Sequence, residues 1–482
     1  MAPSLYTNHD SDQATFGNPT FEVVENKRSP LLTYTGIALA REVVGKLDIP
    51  ERIDRGLSLL KRHKPYSESD HILTMVYNLL TGGECLLDIE RLQEQEGLKR
   101  LLGTESLPDP TTAGDFLVRF QEADIEVLQE LMADAQQQAF EKLDKNKRCQ
   151  ATVDFDSSIH EVYGQKKEGA DFSYNNTWSY HVLYGTLAET GDVLHQQLRE
   201  GNKTSSSGTE KVLPGIFRRL KDCFQRVRFR ADGGFYDKKI VAICENEAVE
   251  FFIVASQTKP LMNRVLALPE SAWKSLRSKK IRTRRSGKKR RKRKNQKRAI
   301  TLKRKPDSMF RGKTQVTSLY YQPQGWAKPY RFVVTRTQIV DSENKQLYLA
   351  DDLCRYMYHI IVTNTEYSDS RVARIAHGRS NQENLIKDFK YGLGLGHVPT
   401  GRFLANKAYF LIAALAWNIK TWTLNLLNIG DAATLRFKRF LYLWIYRASV
   451  VSLTSGNKIV LRIDPGEYFQ RFQYAMSQLQ TL

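Results

Sequence analysis

Residues 151–164, ATVDFDSSIHEVYG, change the period of the chain. Apolar residues alternate along this run as they do in a strand, so Asp154 and Asp156, two apart, share a face. Two more alternating runs follow, SYHVLYGTLA (179–188) and DVLHQQLRE (192–200). GQKKEGADFSYNN (164–176) and Glu189-Thr190-Gly191 separate them, which predicts consecutive antiparallel strands. Next come a helical stretch from Val212 to Phe224, the strand VRFRAD (227–232), a short helical stretch from Asp237 to Glu247 and the apolar strand VEFFIVAS (249–256). A meander followed by alternating helix and strand predicts an α/β layer with a mixed sheet.

Upstream, from Tyr34 to Leu143, apolar residues recur at helical spacing. Ser67–Asp70 introduces HILTMVYNLL, and Pro108–Thr112 introduces AGDFLVRFQ, both with helix-start chemistry. Downstream, YRFVVTRTQIV (330–340) and MYHIIVT (357–363) read as strands, and helices are expected at 380–391, 402–427 and 432–446. The expected organisation is a disordered tail at 1–28, an all-helical N-terminal domain for DNA binding or dimerisation at 29–148, and an α/β core at 149–260 and 346–430. A basic insertion at 261–345 interrupts the core, and a helical region at 431–482 ends the chain.

The 482 residues suffice for two or three packed domains. Lys and Arg number 73 against 53 Asp and Glu, a net charge of +20. Nineteen of those cations lie between Ser271 and Pro306, where there is no acid, leaving 54 basic against 53 acidic residues elsewhere. So the excess is a local polyanion-binding feature on a near-neutral chain. Five scattered cysteines without a C-x-x-C pair exclude a disulfide scaffold and argue against structural zinc. No signal peptide opens the sequence, and its most apolar stretch, Tyr409–Trp417, is too short to span a bilayer. A soluble, cytoplasmic, nucleoid-associated protein is expected.

Four carboxylates stand at element ends where a scaffold can hold them: Asp154 and Asp156, Asp232 before Gly233-Gly234, and Glu383 in the first turn of a helix. Carboxylates gathered from separate strands and a helix suit magnesium, and a two-metal site can clamp both oxygens of an in-line phosphoryl displacement. Each also has a plainer reading. The aspartate pair can be a solvated face, Asp232-Gly233 a hairpin turn, and Ser380–Glu383 a capping box. On the helix, Arg379, Glu383, Lys387 and Lys390 form one stripe, which is either an ion-pair ladder or a carboxylate flanked by phosphate-binding cations.

D-x-S/T at Asp156–Ser158, A-D-G at Ala231–Gly233, and R-x3-E-x6-K at Arg379, Glu383 and Lys390 together resemble the DDE transposases of bacterial insertion sequences, in the Y-R-E-K signature branch. The likeness runs from about Leu32 to Leu427. The signature's Tyr falls on Ala376, with His377 adjacent as a substitute phosphate contact. The resemblance implies an RNase H-like core in which Asp156, or Asp154 in its place, joins Asp232 and Glu383 to bind two magnesium ions, with manganese able to substitute. It also implies that Arg379, Lys390, Lys387 and His377 contact DNA. The substrates would be double-stranded terminal inverted repeats and target DNA, handled by a homodimer in a synaptic complex with no membrane partner. Cleavage would be followed by strand transfer, in cut-and-paste transposition. The rival readings are a structure-directed nuclease with the same core and no strand transfer, and a non-catalytic basic DNA-binding protein.

The basic run would add phosphate contacts through Arg284, Arg285, Lys288, Lys289, Arg290, Arg291, Lys292, Arg293 and Lys294. Deleting residues 274–305 is therefore expected to flatten the dependence of log affinity for DNA on log salt concentration. An unchanged slope in a fluorescence-anisotropy titration would show that the run stays off the DNA. Trp273 and Trp326, which border the segment, are expected to pack rather than to stack on a base.

Overall fold

The computed structural model describes residues 30–276, 314–338, 356–454, 458–479 and 481. The expected disordered tail at 1–28 and the cations from Arg284 to Lys294 lie outside them.

The sheet takes the expected form. Its strands are β1 (Ala151–Glu161), β2 (Trp178–Leu187), β3 (Val193–Glu200), β4 (Val227–Ala231), β5 (Glu250–Val254), β6 (Thr314–Tyr321), β7 (Tyr330–Gln338) and β8 (Tyr356–Thr363). Across the sheet they run β3-β2-β1-β4-β5-β8-β7-β6, with two-residue strands Asp171–Phe172 and Lys274–Ser275 at the margins. β1, β4 and β5 are parallel, and the remaining pairings are antiparallel.

The connections follow from sequence. Between β3 and β4, helix Thr209–Cys223 buries Leu213, Phe217 and Leu220, spaced to share one face. Helix Lys238–Asn246 crosses from β4 to β5, as a parallel pair requires. Every residue of β4 is buried, because both faces of the parallel centre are covered. Gly185 in β2 is needed for close approach, since a Cβ there would stand 2.5 Å from the Phe155 ring. Gly191, at φ 80°, makes the turn into β3.

The N-terminal helices pack around one central helix, Phe403–Leu426, which also covers β3. It buries 21 of its 24 residues, polar ones among them, as a helix covered on all sides does. Its polar residues satisfy the β2–β3 turn: Trp417 Nε1 donates to Gly191 O at 2.8 Å, Trp422 Nε1 to Asp192 at 2.7 Å, and Asn418 bonds both backbone groups of Val193 at 2.9 Å. Both expected helix starts form. Ser67 and Asp70 make a reciprocal capping box, and Asp109 caps a helix with Pro110 in its first turn.

Three expectations need correction. The region 29–148 is not wholly helical, because Leu31–Leu32 forms a short strand paired with Ser449–Val450. Such a two-residue strand carries no periodicity, and its pairing partner is distant in sequence. Likewise 431–482 is not wholly helical, because two strands precede its helix Glu467–Leu479. Ser449–Thr454 and Lys458–Arg462 pair as strands, and the helix expected at 432–446 is reduced to Phe437–Phe440 and a π turn at Leu441–Ile445. Nor is 261–345 a separate insertion, since Thr314–Tyr321 and Tyr330–Gln338 extend the main sheet through β8. Their alternating residues needed a partner strand that only the fold supplies. Trp273 and Trp326 pack as expected: Arg336 lies 4.1 Å over the Trp273 ring, and Trp326 sits between Tyr236 and Tyr330.

Candidate active site

Parallel pairing of β1 with β4 places Asp154 opposite Arg230 and Phe155 opposite Ala231. The next residues are Asp156 in β1 and Asp232 immediately after β4, so the register brings these carboxylates side by side. Asp232 follows β4 directly, and its Oδ1 accepts from Gly234 N at 2.9 Å, capping a tight 3₁₀ turn. The hairpin reading of Asp232-Gly233 therefore fails.

A third element closes the site. Helix Asp369–His377 leads directly into helix Ser380–Gly392, the site helix, and Arg379 between them is itself helical (φ −63°, ψ −22°). The capping box at Ser380–Glu383 is consequently not formed, because Ser380 Oγ donates back to His377 O instead. Arg379 Nη2 reaches Asp156 Oδ2 at 2.8 Å and Asp232 Oδ2 at 3.5 Å, with Asp156 largely buried and Asp232 more open. Burial pushes the Asp156 carboxyl up; Arg379 opposes this and Asp232 adds to it.

Asp154 takes a different part. Arg230 Nε and Nη2 grip its two oxygens at 2.7 and 2.6 Å, and the pair is almost wholly buried. Burial still pushes the Asp154 carboxyl up, to about 6, against the pull of Arg230 and Arg379. The third Arg230 nitrogen donates to Ile375 O at 2.8 Å, and Gln382 Nε2 donates to Asp154 O at 2.7 Å. This brace ties the site helix to β1 and β4. Arg230 and Gln382 had not been singled out in the sequence. The signal was R-x-D beside D-x-D, intelligible once the two strands are in register.

The other expected residues are placed unequally. Glu383, one turn beyond Arg379, is exposed and makes no hydrogen bond or ion pair with any described residue. Lys390 turns back to the sheet, donating to Ile159 O at 3.0 Å, and burial pushes its ammonium down. Lys387 is exposed. Exposed His377 stacks on His359, ring centroids 5.3 Å apart.

Divalent cations fit this donor set in part. Asp156 and Asp232 are hard oxygen donors already converging on one positive charge, the Arg379 guanidinium, as two metal-binding carboxylates must. Among the described residues, no group of three or more His, Cys, Asp or Glu stands close enough to hold an ion. A ligand set that includes Glu383 therefore requires Arg379 to release the pair and Glu383 to approach it.

A family model described as "Transposase DDE domain group 1" matches residues 26–466. Among solved structures, the chain is similar to a cryo-EM structure of the piggyBac transposase synaptic complex with hairpin DNA. Identity is 10%, covering 87% of this chain and 82% of that one, with a TM-score of 0.43. No match is found among curated proteins.

Proposed function

The chain belongs to the DDE transposases, group 1, and from that premise we propose that it binds the terminal inverted repeats of an insertion sequence and catalyses their cleavage and strand transfer. Support comes chiefly from the convergence of Asp156 and Asp232 on Arg379, one turn from Glu383, in a structure where both aspartates follow directly from strand register. The strand order β3-β2-β1-β4-β5, a meander followed by two parallel strands, supports an RNase H-like core. The R-x3-E-x6-K spacing supports the Y-R-E-K branch, although Ala376 stands at its Tyr.

Asp156, Asp232 and Glu383 would hold magnesium, or manganese in its place. When bound, the metal supplies an activated oxygen nucleophile and charge neutralisation at the phosphate. The chain's own groups then have separable tasks. Arg379 balances the two aspartates in the free protein, and its bidentate guanidinium suits a phosphate once they are otherwise neutralised. Lys390 fixes the far end of the site helix on β1. The Asp154–Arg230–Gln382 brace fixes the near end, so the carboxylates and the helix keep their relative placement. DNA recognition by 29–148, a homodimeric synaptic complex and nucleoid association belong to the same proposal.

The test uses a supercoiled plasmid carrying both DNA flanks of the reading frame, incubated with the full-length protein and magnesium. Strand breaks at both element ends, lost with EDTA, and sequenced junctions joining those ends to new DNA are expected. Breaks without junctions would replace the transposase by a structure-directed nuclease. The absence of both products would overturn the reading.

A further inference from the structure

The site helix has a second solvent-facing side. Between it and the segment Ala432–Arg439 lies an open groove of about 900 Å³. Its cations are Lys387 on the helix wall and Arg436, Lys438 and Arg439 opposite. Among the described residues, Asp388 is the one carboxylate lining it, and its Oδ2 accepts from Phe437 N at 2.7 Å.

These cations are only loosely matched: Arg436 and Lys438 act on the Asp388 carboxyl without forming an ion pair with it. Lys387 and Arg436 are exposed and make no hydrogen bond or ion pair with any described residue. Lys438 has only a loose 3.8 Å pairing with Glu84, both side chains well exposed, which contributes little. Arg439 lies over the Tyr442 ring at 5.0 Å. Some other cations among the described residues, Arg230, Arg331 and Arg402, are matched to a carboxylate at 2.6–2.7 Å. A concave wall of four cations with one loose ion pair, at 3.8 Å, suits a polyanion.

Position identifies which one. At about 100° per residue, Lys387 lies roughly 40° around the helix from Glu383, Tyr391 roughly 80° and Asn384 roughly 100°. The groove therefore begins where the candidate catalytic stripe ends, and Lys387 belongs to both. Exposed Tyr391 and the Asn384 amide add a stacking face and neutral hydrogen-bonding groups suited to a nucleotide.

We propose that this groove seats the phosphodiester backbone of the DNA strand being processed, immediately beside the phosphate that reacts at Asp156, Asp232 and Glu383. The proposal rests on the transposase reading. Phosphate contacts of this kind set position rather than sequence preference. Arg436, Lys438 and Arg439 would hold the strand in register with the carboxylates.

The test compares wild type with the Arg436→Gln/Lys438→Gln/Arg439→Gln protein. A control of equal charge change, Lys211→Gln/Arg218→Gln/Lys221→Gln, lies on the crossover helix Thr209–Cys223. The probe is a fluorescein-labelled duplex carrying one element end, titrated by anisotropy at several salt concentrations, with melting curves confirming folding. The groove variant should lower the slope of log affinity against log salt by about 2–3, at about 0.9 per phosphate contact. Phosphate-ethylation interference should vanish at phosphates adjoining the cleaved bond and persist elsewhere. A groove variant whose slope and interference pattern match the control would overturn the proposal. Wild-type protein that cleaves element ends in that case leaves the transposase reading standing. Wild-type protein that neither binds nor cleaves them removes both.

Discussion

Asp232→Asn is expected to lower magnesium-dependent cleavage of element ends by about a thousandfold while the protein stays folded. Metal-assisted stabilisation of a transition-state charge is worth several kcal/mol, and a loss of about 4 kcal/mol is a thousandfold in rate. The substitution keeps the side chain's shape and its oxygen for Gly234 N, so the 3₁₀ turn survives. Asp156→Asn should behave alike, leaving Arg379 with Asp232 as its partner. Asp154→Asn is the discriminating comparison. Its carboxylate is held by Arg230 in a buried pair, so its loss should appear first as lowered melting temperature rather than as folded, inactive protein. Folded Asp156→Asn with near wild-type cleavage, measured on a radiolabelled end duplex, would remove Asp156 from the ligand set.

Arg230→Met should destabilise the fold by about 3–5 kcal/mol, because it strands the Asp154 carboxylate in the sheet interior without a partner. Asp154→Leu/Arg230→Met should recover most of that loss, since replacing both members of a buried pair with apolar side chains is often neutral. Urea unfolding of the two single variants and the double variant measures the coupling. Cleavage supplies a second readout: Arg230 also holds Ile375 O at the start of the turn into the site helix, so the double variant should refold yet cleave poorly. A stable Arg230→Met protein with full activity would show that the brace neither stabilises the sheet nor positions the helix.

Much of this was legible along the chain. The alternation in 151–200 gave the meander, and the helix stretch at 380–391 matches Ser380–Gly392 within a residue. Asp156, Asp232 and Arg379 were found from motif spacing, and the structure brings these three together. What escaped was non-local. Leu31–Leu32 and Ser449–Val450 are over 400 positions apart and meet only through the fold. The extension of the sheet by β6 and β7 depended on β8, beyond the basic run.

Charge shows the division most plainly. Composition and position alone located nearly all of the +20 excess between Ser271 and Pro306, and motif spacing alone nominated the carboxylates, because both are properties of linear order. Linear order, through D-x-S/T, favoured Asp156 but left Asp154 open as the alternative. The two share one strand face, and their surroundings separate them only once the neighbouring strand is set in register. Parallel pairing puts Arg230 against the first and Asp232 beside the second. One aspartate becomes a buried structural anchor and the other half of a candidate active site. The tertiary structure decided this because a carboxylate's role depends on which charge lies within a few ångströms, and that neighbour comes from 76 residues away.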